Sequence, residues 1–382
     1  MSTALINGRV LTPEGWREDR AVLVEAGRIA ALCPATDARV KQAERHDLAG
    51  KTLLPGFIDC QVNGGGGVLF NSTPTVAGIR SIASAHRHYG TTGLLPTLIS
   101  DSVEVMGEAI AAVDAAITER VPGVLGIHIE GPYIAAARKG VHQESRLRLP
   151  APGEIALAAS LKQGRTLLTL APEQVPVETL RELLDAGVIL AVGHTAGDYD
   201  SVRRALDAGV RGFTHLFNAM TPLQGRAPGA VGAALEDRES WCGIIVDGHH
   251  VHPASLRVAL AAKPRGKLFL VTDAMPPVGG TGQTFVLNGE TIHVKDGAAR
   301  TSDGVLAGSV ISMIDAVRNS VRLLGLPLEE AARMASTYPA DFLGLGRTHG
   351  RVAPGYQADF TVVDTDLRVR ETWIAGQCEP AA

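Results

Sequence analysis

Between residues 53 and 346, short apolar runs alternate with stretches of helical period. The runs end near Asp59, Leu98, Glu130, Leu170, His194, His215, Val246 and Asp273. Apolar runs of this length, bounded by turn residues, read as buried strands. Helices are expected over Val103 to Glu119, Val177 to Ala186 and Ser201 to Ala208. Gly187 and Gly209 follow two of them, where a helix C-cap favours glycine. A Leu-Asp-Ala-Gly-Val pattern occurs at 184–188 and again at 206–210, each time leading into a strand that ends in His. About eight such units predict an α/β fold, a (β/α)8 TIM-type barrel over residues 53–346. A doubly wound sheet is the structural alternative, but it would not bring all the strand-end polar residues to one mouth.

The two ends of the chain read differently. Ala21 to Leu32 has the look of a hairpin turning at Gly27, and Asp359 to Asp364 and Arg368 to Ala375 read as strands. Neither end carries enough strands for a stable sheet alone. Residues 1–52 and 347–382 are therefore expected to form one small β-sandwich together. Within the barrel, long loops run from Gly131 to Pro150 and from Asn218 to Ala230, and such loops often carry substrate contacts or act as lids.

The strand ends carry the candidate chemistry. Glu130 closes Val124-Leu-Gly-Ile-His-Ile-Glu130, His194 closes Val188-Ile-Leu-Ala-Val-Gly-His194, and His215 closes Val210-Arg-Gly-Phe-Thr-His215. Two His and one carboxylate form a common catalytic zinc set that leaves a position open for water. Asp273, closing Lys267-Leu-Phe-Leu-Val-Thr-Asp273, is placed to act as general base to that water. Each residue also has a plain reading: a buried ion pair or helix cap for Glu130, a hydrogen-bonded core imidazole for either His, a turn-capping carboxylate for Asp273. His142, in the first long loop, could polarise a carbonyl or simply be an exposed loop residue. Arg226 could grip a phosphate with two N–H groups, backbone N–H groups at Asn218 and Ala219 could add donors, and His250 could join them. The cluster His249-His250-Val-His252 lacks a carboxylate and is a weak metal motif. Gly64 to Gly67 is not followed by the Gly-Lys-Ser/Thr of a phosphate loop, so close backbone approach is its expected role.

Composition narrows the class. Of 382 residues 45% are apolar, enough for a sizeable core, and the formal net charge of −4 without a basic tract argues against nucleic acid as partner. The four cysteines are far apart and form no thiolate zinc motif. No run is long enough for a membrane helix and no signal-peptide pattern is evident, so a cytoplasmic protein that does not bind membranes is expected.

Several stretches together resemble the N-acetylglucosamine-6-phosphate deacetylase family of the amidohydrolase superfamily. They are Leu54-Pro-Gly-Phe-Ile-Asp59, His128-Ile-Glu130-Gly-Pro, Lys139-Gly-Val-His142, Gly193-His194-Thr, Thr214-His215-Leu-Phe-Asn218-Ala219-Met, Arg226-Ala-Pro-Gly, Asp247-Gly-His-His250-Val and Thr272-Asp273-Ala. The resemblance implies a hydrolase of amino-sugar metabolism that removes the acetyl group of N-acetylglucosamine-6-phosphate. It implies metal ligation by Glu130, His194 and His215, acid/base work by Asp273 and substrate orientation by His142. Asn218, Ala219, Arg226 and His250 match phosphate and sugar contacts, and Leu306, in Leu306-Ala-Gly-Ser309, falls in a similar segment after the last strand. It further implies a homodimer in which a phosphate contact crosses the interface. Many superfamily members carry His-x-His after the first strand and bind two metals. Here the position reads Gln61-Val-Asn63. Gln61 can hydrogen-bond water at the metal but is a poor ligand, so one divalent metal per subunit is expected, zinc or ferrous iron. Two other functions fit less well: an amidohydrolase acting on a cyclic amide or N-acyl amino acid, and a non-catalytic sugar-phosphate sensor.

Overall fold

The computed structural model describes residues 2–381, so Met1 and Ala382, the outer limits of the expected terminal sandwich, lie outside it. The chain divides into two compact units: residues 1–59, 86–93 and 313–382 form one, residues 60–85 and 94–312 the other.

In the first unit the two ends of the chain share a sheet. Phe360–Val363 pairs antiparallel with Thr52–Pro55, so a C-terminal strand completes what the N-terminal strands begin. The resulting six-stranded sheet and a four-stranded one enclose Leu5, Val22, Leu53, Phe360, Val362 and Trp373. The expected hairpin is present as Arg20–Glu25 and Arg28–Pro34. Ala26 and Gly27 between them both have positive φ, as a two-residue hairpin turn matching strand twist requires.

The barrel sheet has eight strands in chain order: Phe57–Val62, Thr91–Ile99, Gly126–Glu130, Arg165–Leu170, Ile189–Val192, Gly212–Phe213, Trp241–Ile244 and Leu268–Leu270. A parallel bridge between Val62 and Ala274 closes it. All nine residues of Thr91–Ile99 are buried, as expected for a parallel strand covered on both faces. The predicted helices appear as Val103–Thr118, Val177–Asp185 and Tyr199–Asp207. Ser102 and Asp198 cap the first and third, each side chain accepting a backbone N–H of the first turn.

One element was not anticipated. Thr284–Leu287, Glu290–Lys295, Ala298–Arg300 and Leu306–Ser309 form a separate four-stranded antiparallel sheet. Its first two turns, Asn288-Gly289 and Asp296-Gly297, have positive φ at both residues. These dipeptides are the strongest short hairpin signals a sequence offers, and they were there to be read. Phe285, Leu287, Ile292, Ala299 and Ala307 of this sheet pack with Ile99 and Met275.

Candidate active site

Glu130 is the last residue of the third strand, while His194, His215 and Asp273 lie two to three residues beyond theirs. The latter three all have left-handed backbones, with φ of 48°, 32° and 53°. Non-glycine residues seldom adopt this conformation outside turns, and here three of them do so at strand ends that meet. For Asp273 the clamp is visible: its N–H donates to the Gln61 carbonyl at 2.9 Å and its carbonyl accepts from Ser309 N–H at 2.8 Å. Gly193, before His194, leaves no room for a side chain, because a Cβ there would come within 2.6 Å of the Thr169 methyl.

These residues converge. His194 Nε2 lies 3.1 Å and His215 Nε2 3.0 Å from Glu130 Oε1, and the two nitrogens are 3.0 Å apart. Metal bonds of 2.0–2.2 Å in a tetrahedral site set ligand atoms roughly 3.3 Å from one another, so the triangle is close to the size a single zinc-like ion needs. Among the described residues this is the one group with the arrangement for a metal. The tautomer also suits it. His194 Nδ1 lies 2.8 Å from the Arg138 carbonyl, which can only accept, so Nδ1 carries the proton and Nε2 offers its lone pair to the cluster. The residues therefore fit a divalent cation.

The charges are mutually adjusted. Burial alone would raise the Glu130 carboxyl, but the His194 and His215 rings beside it hold it well below the usual range. Burial opposes protonation of His215 too, yet the Glu130 carboxylate beside it raises its pKa. Asp273 is pushed up to about 6, by burial first and by the nearby Glu130 charge second. His142 is pushed down to about 3 by burial, with His194 adding to the effect.

The cluster lies in a cavity of about 460 Å³ whose lining includes Asn63, Glu130, His142, His194, His215, Asn218, Ala219, His250, Asp273 and Leu306. Most of the expected site residues are thus brought together. Gln61 lies beside the cluster and donates through Nε2 to both Glu130 Oε1 and Asp273 Oδ1, each at 3.1 Å. His250 is held by Asp247, whose carboxylate lies 2.6 Å from its Nδ1. Of the two backbone donors expected in the Asn218–Ala219 turn, the Asn218 N–H is already used by the His215 carbonyl at 3.0 Å. Arg226 does not join this cavity. It is exposed and lines a different hollow of about 450 Å³ with Asp198, Tyr199 and Thr221.

Sequence reasoning missed Asn63. Its Nδ2 donates to Asp273 Oδ1 at 2.5 Å. Gln61 lies near the end of the first strand and Asn63 one residue past it, and their spacing of two puts them on the same side, which was a usable signal. Both amides converge on Oδ1, and Asp273 Oδ2 has no hydrogen-bond partner among the described residues. Arg138 and Arg300 also line the cavity. They carry no motif that would have drawn attention to them.

Comparison with known proteins places this geometry. The amidohydrolase family model matches residues 52–379. An N-acetylgalactosamine-6-phosphate deacetylase of Shewanella sp. (strain ANA-3) is 42% identical, with 97% of this chain and 94% of that one covered. An N-acetylglucosamine-6-phosphate deacetylase of Haemophilus influenzae is 33% identical over 99% of both chains. The crystal structure of the N-acetylglucosamine-6-phosphate deacetylase of Pasteurella multocida superposes over 100% of both chains with a TM-score of 0.96 at 34% identity. The chain belongs to the amidohydrolase family and, within it, groups with the N-acetylgalactosamine- and N-acetylglucosamine-6-phosphate deacetylases.

Proposed function

We propose that this enzyme hydrolyses the acetamide of N-acetylglucosamine-6-phosphate, releasing acetate and glucosamine-6-phosphate, in amino-sugar catabolism or recycling. The observation that carries the reading is the convergence of Glu130 Oε1, His194 Nε2 and His215 Nε2 beside Asp273 in one cavity. Those three atoms would hold one divalent cation, zinc or ferrous iron. Such an ion supplies Lewis acidity, making water a better nucleophile and the carbonyl a better electrophile.

The chain's own residues do the rest. Asp273 Oδ2, unpartnered while Oδ1 is held by two amides, takes a proton from the attacking water as oxygen bonds to the acetyl carbon. His142 donates a hydrogen bond to the oxygen on which negative charge develops. Collapse breaks the C–N bond, and Asp273 returns the proton to the departing sugar nitrogen. Asn218, Ala219, His250 and Leu306, which also line the cavity, would contact the sugar and its phosphate. Arg226, away from the cavity of its own chain, would reach the phosphate of a neighbouring subunit in a homodimer. All these residues lie within 53–346, the expected catalytic domain. A cytoplasmic location is part of the same proposal, and no helix among the described residues is long and apolar enough to cross a membrane.

The test is acetate release from N-acetylglucosamine-6-phosphate by metal-stripped enzyme, before and after one equivalent of zinc or ferrous iron. The N-acetylgalactosamine epimer should be run beside it, because relatives of both names occur. Restoration by one metal per chain is expected. A folded, metal-loaded protein inert on both sugars would shift the reading to another amide.

A further inference from the structure

Ser100 follows the second barrel strand and takes no part in the metal cluster. Its backbone N–H donates to Nδ1 of His142 at 3.2 Å, and its Oγ lies 2.7 Å from the same nitrogen. A backbone amide can only donate. Nδ1 of the neutral ring must therefore present a lone pair there, which leaves the ring proton on Nε2. The hydroxyl, free to rotate, becomes a second donor to Nδ1. Nε2, on the opposite edge of the ring, has no partner among the described residues, and His142 lines the cavity.

We propose that Ser100 is a positioning residue that fixes His142 as an Nε2–H donor aimed at the acyl oxygen of the substrate. The proposal rests on the amide-hydrolase reading of the site. The opposite tautomer would set Nδ1–H against the Ser100 N–H and offer only a lone pair to an oxygen that is gaining negative charge.

The surroundings keep Ser100 in place. Asn71 acts as a strand neighbour to Ile99: its Nδ2 donates to the Ile99 carbonyl at 3.1 Å, and its Oδ1 accepts the Ile99 N–H at 3.0 Å. This side chain thus holds the strand end and aims the next N–H at His142. Gly131 leaves the hydroxyl its space. A Cβ at that position would come within 2.3 Å of Ser100 Oγ, and its φ of +81° is itself one that glycine adopts readily.

The experiment is nitrogen NMR of the zinc-loaded enzyme carrying ¹⁵N-histidine, with the His142 signals identified by their loss in His142→Gln. The expected result is a neutral ring protonated on Nε2, with Nδ1 showing the signature of an accepted hydrogen bond. In Ser100→Ala the Nδ1 resonance should move, and kcat should fall about tenfold while KM stays nearly constant. Asn71→Ala should move both in the same direction. A wild-type ring protonated on Nδ1, or unchanged kcat in Ser100→Ala, would overturn the proposal. An Nε2-protonated ring in a protein that hydrolyses no amide would refute the deacetylase reading and leave the role of Ser100 in setting the tautomer supported.

Discussion

Glu130 and His128 are two residues apart on one strand and point to the same side of it, yet they sit in different chemistry. Around Glu130 the layer is charged: one carboxylate is shared by two imidazoles, with Asp273 close by. Around His128 the layer is neutral. His128 Nδ1 lies 3.2 Å from Thr97 Oγ1, its Nε2 2.8 Å from Thr169 Oγ1, and Thr169 Oγ1 2.6 Å from Thr214 Oγ1. Thr97 also accepts the Val62 N–H at 2.8 Å, so the belt ties together the first, second, third and fourth strands and the residue just past the sixth. Burial pushes His128 down to about 4, whereas His215, equally buried, is raised by its carboxylate. The difference teaches that burial alone does not decide the state of a histidine; the partner does. The upper layer is arranged to take a cation, and the lower one to hold strand ends in register beneath it.

Disturbing the upper layer should cost function and leave the fold intact. Asp273→Asn should lower kcat about a thousandfold or more, while metal content and substrate binding persist. Steady-state kinetics with metal analysis would check this, and near-normal turnover would remove Asp273 from its role. Glu130→Gln should weaken metal binding by about a hundredfold or more, since even partners of ligands are worth ten- to a hundredfold.

Disturbing the lower layer should do the reverse. His128→Asn should destabilise the protein by about 2 kcal/mol through lost buried hydrogen bonds, with one metal still bound. The pH dependence has a definite sign. The folded-state pKa of about 4 lies below the ordinary 6.5, so between those values the unfolded chain binds more protons. The stability tied to neutral His128 is complete above pH 6.5 and is lost as pH falls through 4. The stability gap between wild type and His128→Asn in urea should therefore narrow on acidification, and a widening gap would contradict the assignment. The smallest effect is expected from Thr214→Val, about 1 kcal/mol for one hydroxyl contact.

Much of the upper layer was legible because its residues terminate apolar runs, and barrel topology sends such ends to one mouth. The helices were legible from period and capping. The particular contacts that join the end of the last strand to the first were not. Asp273 meets Gln61 and Asn63 across more than two hundred residues of chain, and no local pattern encodes that pairing. The left-handed backbones of His194, His215 and Asp273 are likewise imposed by the fold, since none of these residue types requires them. The position of Arg226 shows the limit of motif reading: the residue fits phosphate chemistry, but its place in space belongs to the whole chain.

The most direct test is calorimetric titration of metal-stripped protein with zinc, for wild type, Glu130→Gln and His128→Asn. The account predicts one tight site per chain in wild type and in His128→Asn, and none in Glu130→Gln. Two tight sites per chain, or a tight site that survives loss of the Glu130 carboxylate, would contradict it.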